Sequence, residues 1–462
     1  MKKALGVGIW LASAAAFTCG LRAGQCGPVA FAFALVAGFQ LPSPLGQLPP
    51  CPDALVCYVW AGRVPLGAAS AVAALRLWWS AARAGAAYAS SCHWWWLLTS
   101  AAMLSLIWKG RGDARAVRRA FGDLGGSAPR RPARPILGWV HPYLYRLFDS
   151  FPEVRVERVA GKTPSFIDVW LPQRCCDREG ARRPILFWVH GGAWVGGHAR
   201  FLPAAPLLQA LAARGWLVVS CEYRRGAWPQ QLEDCAEALR YTRTVLADEH
   251  GGDLDALAIG GASAGGHIAS LLTLQAVEEG ACPVRSSLLF YPALDPKDSG
   301  GVTLHSPLGL PRPLGLRRGQ SLLAWFFERV VLRGDASRWP SAEPLARLEG
   351  ASAARAARAS GAPAALPRTL VVHGTHDSVV PVEHSRQWVE ALERRGGGCA
   401  EDSAERQHQL VEVPGARHTF EVAPGAAVEA AFDGALAWLE QPLDKRQRSA
   451  DDSCALCCSA AA

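Results

Sequence analysis

Residues 257–267 read Leu257-Ala-Ile-Gly-Gly261-Ala-Ser263-Ala-Gly265-Gly-His267, and the fold is read outward from them. Leu257–Ala262 is a short apolar run of the kind that forms a strand buried on both faces. A helical pattern follows over 264–277. Between the two lies a G-x-S-x-G motif in the strand-to-helix context that this motif requires. Its glycines permit a sharp, crowded turn. Such a turn lifts the Ser263 hydroxyl out of the sheet edge, and the N-terminus of the next helix favours negative charge developing there. The competing reading is a small-residue turn used only for packing.

Outward from this stretch the chain alternates. Val154–Ala160 and Ser165–Leu171 read as a hairpin at a sheet edge. Further apolar runs lie at Pro184–His190, Gly215–Tyr223, Ser286–Tyr291, Arg368–His373 and Gln409–Val413. Helical patterns fall over 203–214, 229–247, 264–277, 384–395 and 426–440. Strand–helix alternation predicts a mostly parallel sheet with covering helices, an α/β fold whose ligands bind at the carboxyl ends of the strands. The domain is expected over 136–443. Two insertions interrupt it, near 293–366 and 396–408. Leu322–Leu332 within the first reads as helix, and Gly350–Ala365 as a low-complexity loop.

The chemistry is sought at the strand ends. A serine nucleophile in such a sheet needs an acid and a base in the order Ser, Asp or Glu, His. Asp377 follows the Arg368–His373 run and His418 follows the Gln409–Val413 run, so both can converge on Ser263. His418 is the expected base and Asp377 the group that orients it. Asp295 competes as the acid; His373, His376, His384 and His408 compete as the base. His190-Gly191-Gly192-Ala193-Trp194 follows the Pro184–His190 run and supplies backbone N–H donors. Gly191, Gly192 or Ala193, together with Ala264, are expected to form an oxyanion hole. His190 is expected to shape the loop, and His267 to pack behind it. Trp194 and Phe326, beside Trp325 and Phe327, are candidate walls of an acyl pocket; ordinary core at helical spacing is the competing reading of the Phe pair.

These elements resemble the α/β-hydrolase superfamily in its hormone-sensitive-lipase-like (fold-3) branch, and the membrane-anchored carboxylesterases and lipases of mycobacteria and other actinobacteria in particular. The resemblance rests on His190–Trp194, Glu222-Tyr-Arg224 with Trp228–Asp234, Gly260–His267, Phe326–Val331, His373–Glu383 and Gly415–Phe420. It implies an α/β-hydrolase fold and a nucleophile, acid and base at Ser263, Asp377 and His418. Two positions depart from it. Ala193 stands where many relatives have a third glycine, and Glu222 where aspartate is common.

The first hundred residues read differently. Ala4–Leu21 carries no charge, and Ala84–Trp108 is a run of 25 residues without a formal charge. About 20 apolar residues span a bilayer. Residues 1–108 are therefore expected to be an anchor region of two to four transmembrane helices; a cleaved signal peptide at 1–20 is the alternative. Basic residues crowd the expected linker, 109–135, which places the catalytic domain on the cytoplasmic side of a multi-pass membrane protein. A flexible tail is expected over 444–462.

Composition sets the outer limits. Half of the residues are hydrophobic and 19% are charged, which excludes a mainly disordered chain. Net charge is +8, but residues 1–134 alone carry +11. A nucleic-acid protein would place that charge on its folded domain, so no nucleic-acid partner is expected. The 14 cysteines show no paired zinc-ribbon spacing. No cofactor and no metal are expected. The partners expected are a small-molecule or lipid ester and the bilayer. The expected activity is ester cleavage through an acyl-enzyme; amide cleavage as in formamidases, demethylation of a prenylcysteine ester, and a non-catalytic membrane-tethered scaffold are the alternatives.

Overall fold

The structure is a computed structural model of the 462-residue chain. It describes residues 114–122, 154–160, 166–173, 182–200, 204–279, 284–297, 321–356, 366–377, 379–396, 407–422 and 426–441. The expected membrane spans and the tail lie outside these residues, as do most of the linker and of the 396–408 insertion. No helix among the described residues is long and apolar enough to cross a membrane. The described residues fall into two compact units. The larger takes those within Ala116–Pro132, Ser150–His418 and Ala430–Ala462; the smaller takes the rest, Phe420–Val422 among them.

Eight strands form one sheet: β1 (Val154–Ala160), β2 (Phe166–Pro172), β3 (Arg183–Val189), β4 (Leu217–Cys221), β5 (Gly252–Ala262), β6 (Ser286–Phe290), β7 (Arg368–Gly374) and β8 (His408–Val413). Their order is β1-β2-β4-β3-β5-β6-β7-β8. β1 pairs β2 and β2 pairs β4 antiparallel, and β3 to β8 all run parallel. The strand runs read from sequence thus reappear, with shifted ends. β5 starts five residues early, at Gly252, where it meets Arg183 of β3. Apolar residues of β3 to β7 are buried on both faces, as parallel strands covered by helices must be.

Helices connect the strands. α1 covers 114–122. α2 (Ala205–Ala213) joins β3 to β4, and α3 (Gln230–Tyr241) joins β4 to β5. α4 (Ala264–Glu279) joins β5 to β6 and is buried nearly all round, which fits its lack of a polar face. Between β6 and β7 lie α5 (Leu322–Phe326), α6 (Trp339–Ala342) and α7 (Pro344–Ala356). α8 (Val382–Gly396) joins β7 to β8, and α9 (Ala426–Glu440) ends the domain.

This order creates one crevice. β3 sends its crossover to β4 on one side, and β5 sends its own to β6 on the other. β3 and β5 are neighbours, so the loops after them part at their carboxyl ends. That switch point is where open α/β sheets bind ligands, and both singled-out motifs sit there: Val189 pairs with Gly261 across it.

One expectation needs correction. Gly350–Ala365 was read as a loop, but α7 continues through Ala356. The stretch is rich in alanine, the strongest helix former, and propensity outweighs low complexity. The helix expected over Leu322–Leu332 is present: α5 passes without a break into a π-turn at Phe327–Val331, a widening that periodicity does not reveal.

Candidate active site

Ser263 sits between β5 and α4 with φ +56°. A non-glycine residue pays about 1–3 kcal/mol for a sparsely populated backbone of this kind. The surroundings impose it. A Cβ on Gly261 would strike the Gly265 carbonyl, and one on Gly265 would strike the Val189 and His190 carbonyls. Ser263 N–H donates to Phe290 of β6 (2.9 Å), and its carbonyl accepts from His267 N–H (3.0 Å).

Ser263 Oγ lies 2.8 Å from His418 Nε2. His418 Nδ1 lies 2.7 Å from Asp377 Oδ2. With the Nδ1 proton facing the carboxylate, Nε2 is left to accept the serine hydroxyl. Asp377 ends the turn after β7; its Oδ1 accepts the N–H groups of Val379 and Val380, each at 2.9 Å. Its side chain is fully buried. Burial pushes its pKa up, yet the charge and hydrogen bonds of His418 and His373 outweigh that and hold it well below the usual carboxylate range. Asp377 is therefore an anion wherever a carboxylate normally is. Tyr291 lies edge-on to His418, with centroids 4.7 Å apart.

The loop after β3 presses against this turn. A Cβ on Gly191 would lie 2.9 Å from the Ala262 carbonyl oxygen and 3.4 Å from Ser263 Cβ. Gly192, Ala193 and Trp194 then take φ +133°, +51° and +61°. Three successive left-handed residues coil the loop so that Val195 and Gly196 donate back to the Gly192 carbonyl. Ala264 is the first residue of α4, where a helix leaves N–H groups without intrahelical partners. Gly191 and Ala264 thus lie beside Ser263, and Gly192 and Ala193 follow Gly191 in the coiled loop.

Side chains fix the loop from outside. Tyr223 donates its hydroxyl to the His190 carbonyl (3.0 Å). Glu222 accepts Ala199 N–H (2.8 Å) and lies 3.3 Å from His190 Nε2. Burial pushes Glu222 up, but His190 and Ala199 bring it below the usual value. Fully buried Asp168 on β2 grips Arg158 of β1 and Arg200 at the loop's end, with four contacts of 2.9–3.2 Å. Arg224 pairs with Asp234 of α3 at 2.7 Å. Glu222 and Tyr223 are therefore supports of this loop, and Asp234 fixes the Arg224 that follows them. The role of Asp168 escaped the sequence reading, although a charged residue inside the apolar Phe166–Pro172 run was its signal.

His373 is buried beside Asp377 (3.3 Å) and bonds Ser385 and Val380. His376 is exposed and bonds Thr375. His384 accepts the Asp295 N–H at 3.4 Å. His408 is buried at the start of β8. Trp194 is 2% exposed, its ring edge-on to His267 and Phe327, so it backs the loop. Phe327 is core, stacked on Trp339, and Phe326 is half-buried against that core. A cavity of about 270 Å³ lies at the opposite end of the sheet, among Arg155, Arg183, Glu249 and His250, and holds none of these candidates. Among the described residues no cluster of His, Cys, Asp and Glu suits a metal ion.

Sheet order, elbow and strand-end loops define the α/β-hydrolase fold. The chain belongs to the α/β hydrolase fold family, in its hormone-sensitive-lipase-like fold-3 branch; the family model matches residues 186–422. Esterase LipC of Mycobacterium tuberculosis is 30% identical over 56% of this chain and 58% of its own length. A probable isoprenylcysteine alpha-carbonyl methylesterase of Oryza sativa is 28% identical over 56% of this chain and 57% of its own. A bacterial heroin esterase structure aligns with a TM-score of 0.47 and 24% identity, over 64% of this chain and 87% of that one. The chain spans about half the length of the curated relatives it matches.

Proposed function

We propose that this chain is a serine carboxylic ester hydrolase, with Ser263 as nucleophile, His418 as base and Asp377 as the group that orients it, held at a membrane by its N-terminal apolar region. The observation that carries the catalytic part is the unbroken relay from Asp377 through His418 to Ser263, at 2.7 and 2.8 Å. Named esterases among the relatives support the reaction class.

The chemistry runs in two halves. Ser263 Oγ attacks the ester carbonyl carbon as its proton passes to His418 Nε2. The carbonyl oxygen becomes an oxyanion that accepts backbone N–H groups of the 191–193 loop and of Ala264. The buried Asp377 carboxylate stabilises the imidazolium. Collapse breaks the C–O bond, and the departing alkoxide takes the proton from His418. Water then attacks the acyl-enzyme, giving its proton to His418, and the acid leaves as Ser263 regains a proton. Asp377 keeps its charge throughout.

The test uses the purified full-length chain in detergent and its Ser263→Ala variant, on p-nitrophenyl esters from acetyl to palmitoyl. Wild-type turnover is expected to fall by roughly 10⁴-fold or more in the variant, and fluorophosphonate labelling is expected to vanish with Ser263. Turnover that survives in the variant, or a formanilide cleaved in place of every ester, defeats the proposal. A second reading, hydrolysis of a prenylcysteine methyl ester, is favoured by the relative of that name in Oryza sativa. It predicts that such a methyl ester outcompetes the simple esters in kcat/KM.

A further inference from the structure

His267 is fully buried one turn after Ser263, and no step above uses it. Its ring is enclosed by aromatic neighbours: Trp194 at 5.3 Å between centroids, Trp228 at 5.2 Å and Phe327 at 5.4 Å. Inside that apolar cage both ring nitrogens are engaged. Nε2 lies 2.8 Å from the Ala342 carbonyl oxygen, at the end of α6. Nδ1 lies 3.2 Å from the indole Nε1 of Trp194. A carbonyl accepts only, so Nε2 carries the proton. An indole N–H donates only, so Nδ1 is the acceptor. The two partners fix one tautomer between them. Burial also pushes the ring's pKa down to about 4, which keeps it neutral at ordinary pH.

Trp194 is the last of the three left-handed residues that coil the 191–194 loop. Its side chain is the loop's inward anchor, and the Trp194 N–H is met by His267.

We propose that His267 is a positioning residue: its tautomer, set by the Ala342 carbonyl, holds the Trp194 indole and through it aims the N–H groups of the 191–193 loop at the oxyanion. The inference rests on the reaction proposed above. It also couples the α6 segment to that loop, because a shift of Ala342 would release the proton that defines the acceptor.

Two substitutions separate the two ring nitrogens. In His267→Asn the side-chain oxygen falls near the place of Nδ1 and still accepts the indole. In His267→Gln the amide falls near the place of Nε2 and still reaches Ala342, but the acceptor facing Trp194 is gone. Trp194→Phe removes the donor and keeps a ring. Loss of one oxyanion-hole donor, or a misplacement of about 1 Å, lowers turnover by roughly 10²-fold. We therefore expect His267→Gln and Trp194→Phe each to lower kcat roughly ten- to a hundredfold with KM within about twofold. We expect His267→Asn to retain most of the turnover, and the His267→Gln/Trp194→Phe pair to cost no more than one alone. Equal losses in the Asn and Gln variants, a loss confined to KM, or full activity in Trp194→Phe overturns the inference. Wild-type chain that turns over no ester defeats the proposed reaction instead. The bridge is then judged by hydrogen exchange of the Trp194 indole N–H, identified by its disappearance in Trp194→Phe. Faster exchange in His267→Gln supports the bridge, and unchanged exchange overturns it.

Discussion

Ser263 and Asp377 are both held where an unconstrained residue would not stay. Ser263 keeps a left-handed backbone, and Asp377 keeps a buried negative charge. Asp377→Asn leaves the shape and removes the charge. We expect kcat to fall by roughly 10⁴-fold, as wrong-tautomer variants of such triads do, with thermal unfolding measured alongside to show an intact fold. His408 offers a test of pH dependence. It is buried, and neither ring nitrogen has a hydrogen-bond partner among the described residues. Burial lowers its pKa from 6.5 to about 4. Between those values the unfolded chain binds a proton that the folded chain refuses. The stabilising effect of its neutral form is whole above pH 6.5 and is lost as pH falls towards 4. We expect wild type to lose up to about 3 kcal/mol relative to His408→Leu over that interval. Denaturant melts of both proteins at pH 7 and pH 4.5 measure it, and parallel pH curves would refute it. Residues such as these were legible in sequence to different degrees. Ser263, Asp377 and His418 sit at the ends of apolar runs, which a one-dimensional pattern shows. Tyr291 does not: its place beside His418 depends on how β6 and β8 flank β7.

At the scale of elements, the loop after β3 is braced from several sides. Asp168 ties it to β1 and β2, Glu222 and Tyr223 tie it to the end of β4, and Trp194 anchors it against α4. Asp168→Ala frees Arg158 and Arg200, whose side chains are 46% and 32% exposed and can rehydrate. The cost is therefore expected at about 2 kcal/mol, below that of a fully buried orphan charge. A drop in kcat should accompany it, because Arg200 no longer holds the loop. Chemical melts and ester kinetics on one preparation read both effects. Gly265→Ala is a harsher change. Its Cβ meets the Val189 and His190 carbonyls, and backbone cannot step aside as a side chain can. We expect little folded protein from it, measured as the yield of fluorophosphonate-reactive chain. Sequence periodicity found the strands because buried parallel strands are continuous apolar runs. It failed at α7, where Ala-rich helix and low-complexity loop share one composition, and at the π-turn of Phe327–Val331, which changes pitch without changing residue type.

At the scale of the whole molecule, the sequence divides an apolar N-terminal region from an α/β domain. We propose that residues 1–108 fix the chain in a membrane. After alkaline carbonate washing of membranes, full-length chain is expected in the pellet and a chain beginning near residue 135 in the supernatant; full-length chain released by the wash refutes the proposal. The α/β architecture was legible because strand and helix patterns alternate along roughly two thirds of the sequence. Between β6 and β7 the helix at Leu322–Leu332 was legible and the rest was not, because Pro, Gly and Arg there obscure any period. One feature reaches beyond catalysis. Ser263 and His418 are 155 positions apart in the chain, and His418 and Asp377 are 41 apart. Their contacts are non-local and close only when β5, β7 and β8 share one sheet, so forming them late is the entropic expectation. Reactivity of Ser263 towards a fluorophosphonate is thus a clock for folding itself: in a refolding experiment it should appear after far-ultraviolet ellipticity has recovered, with the closing of the sheet.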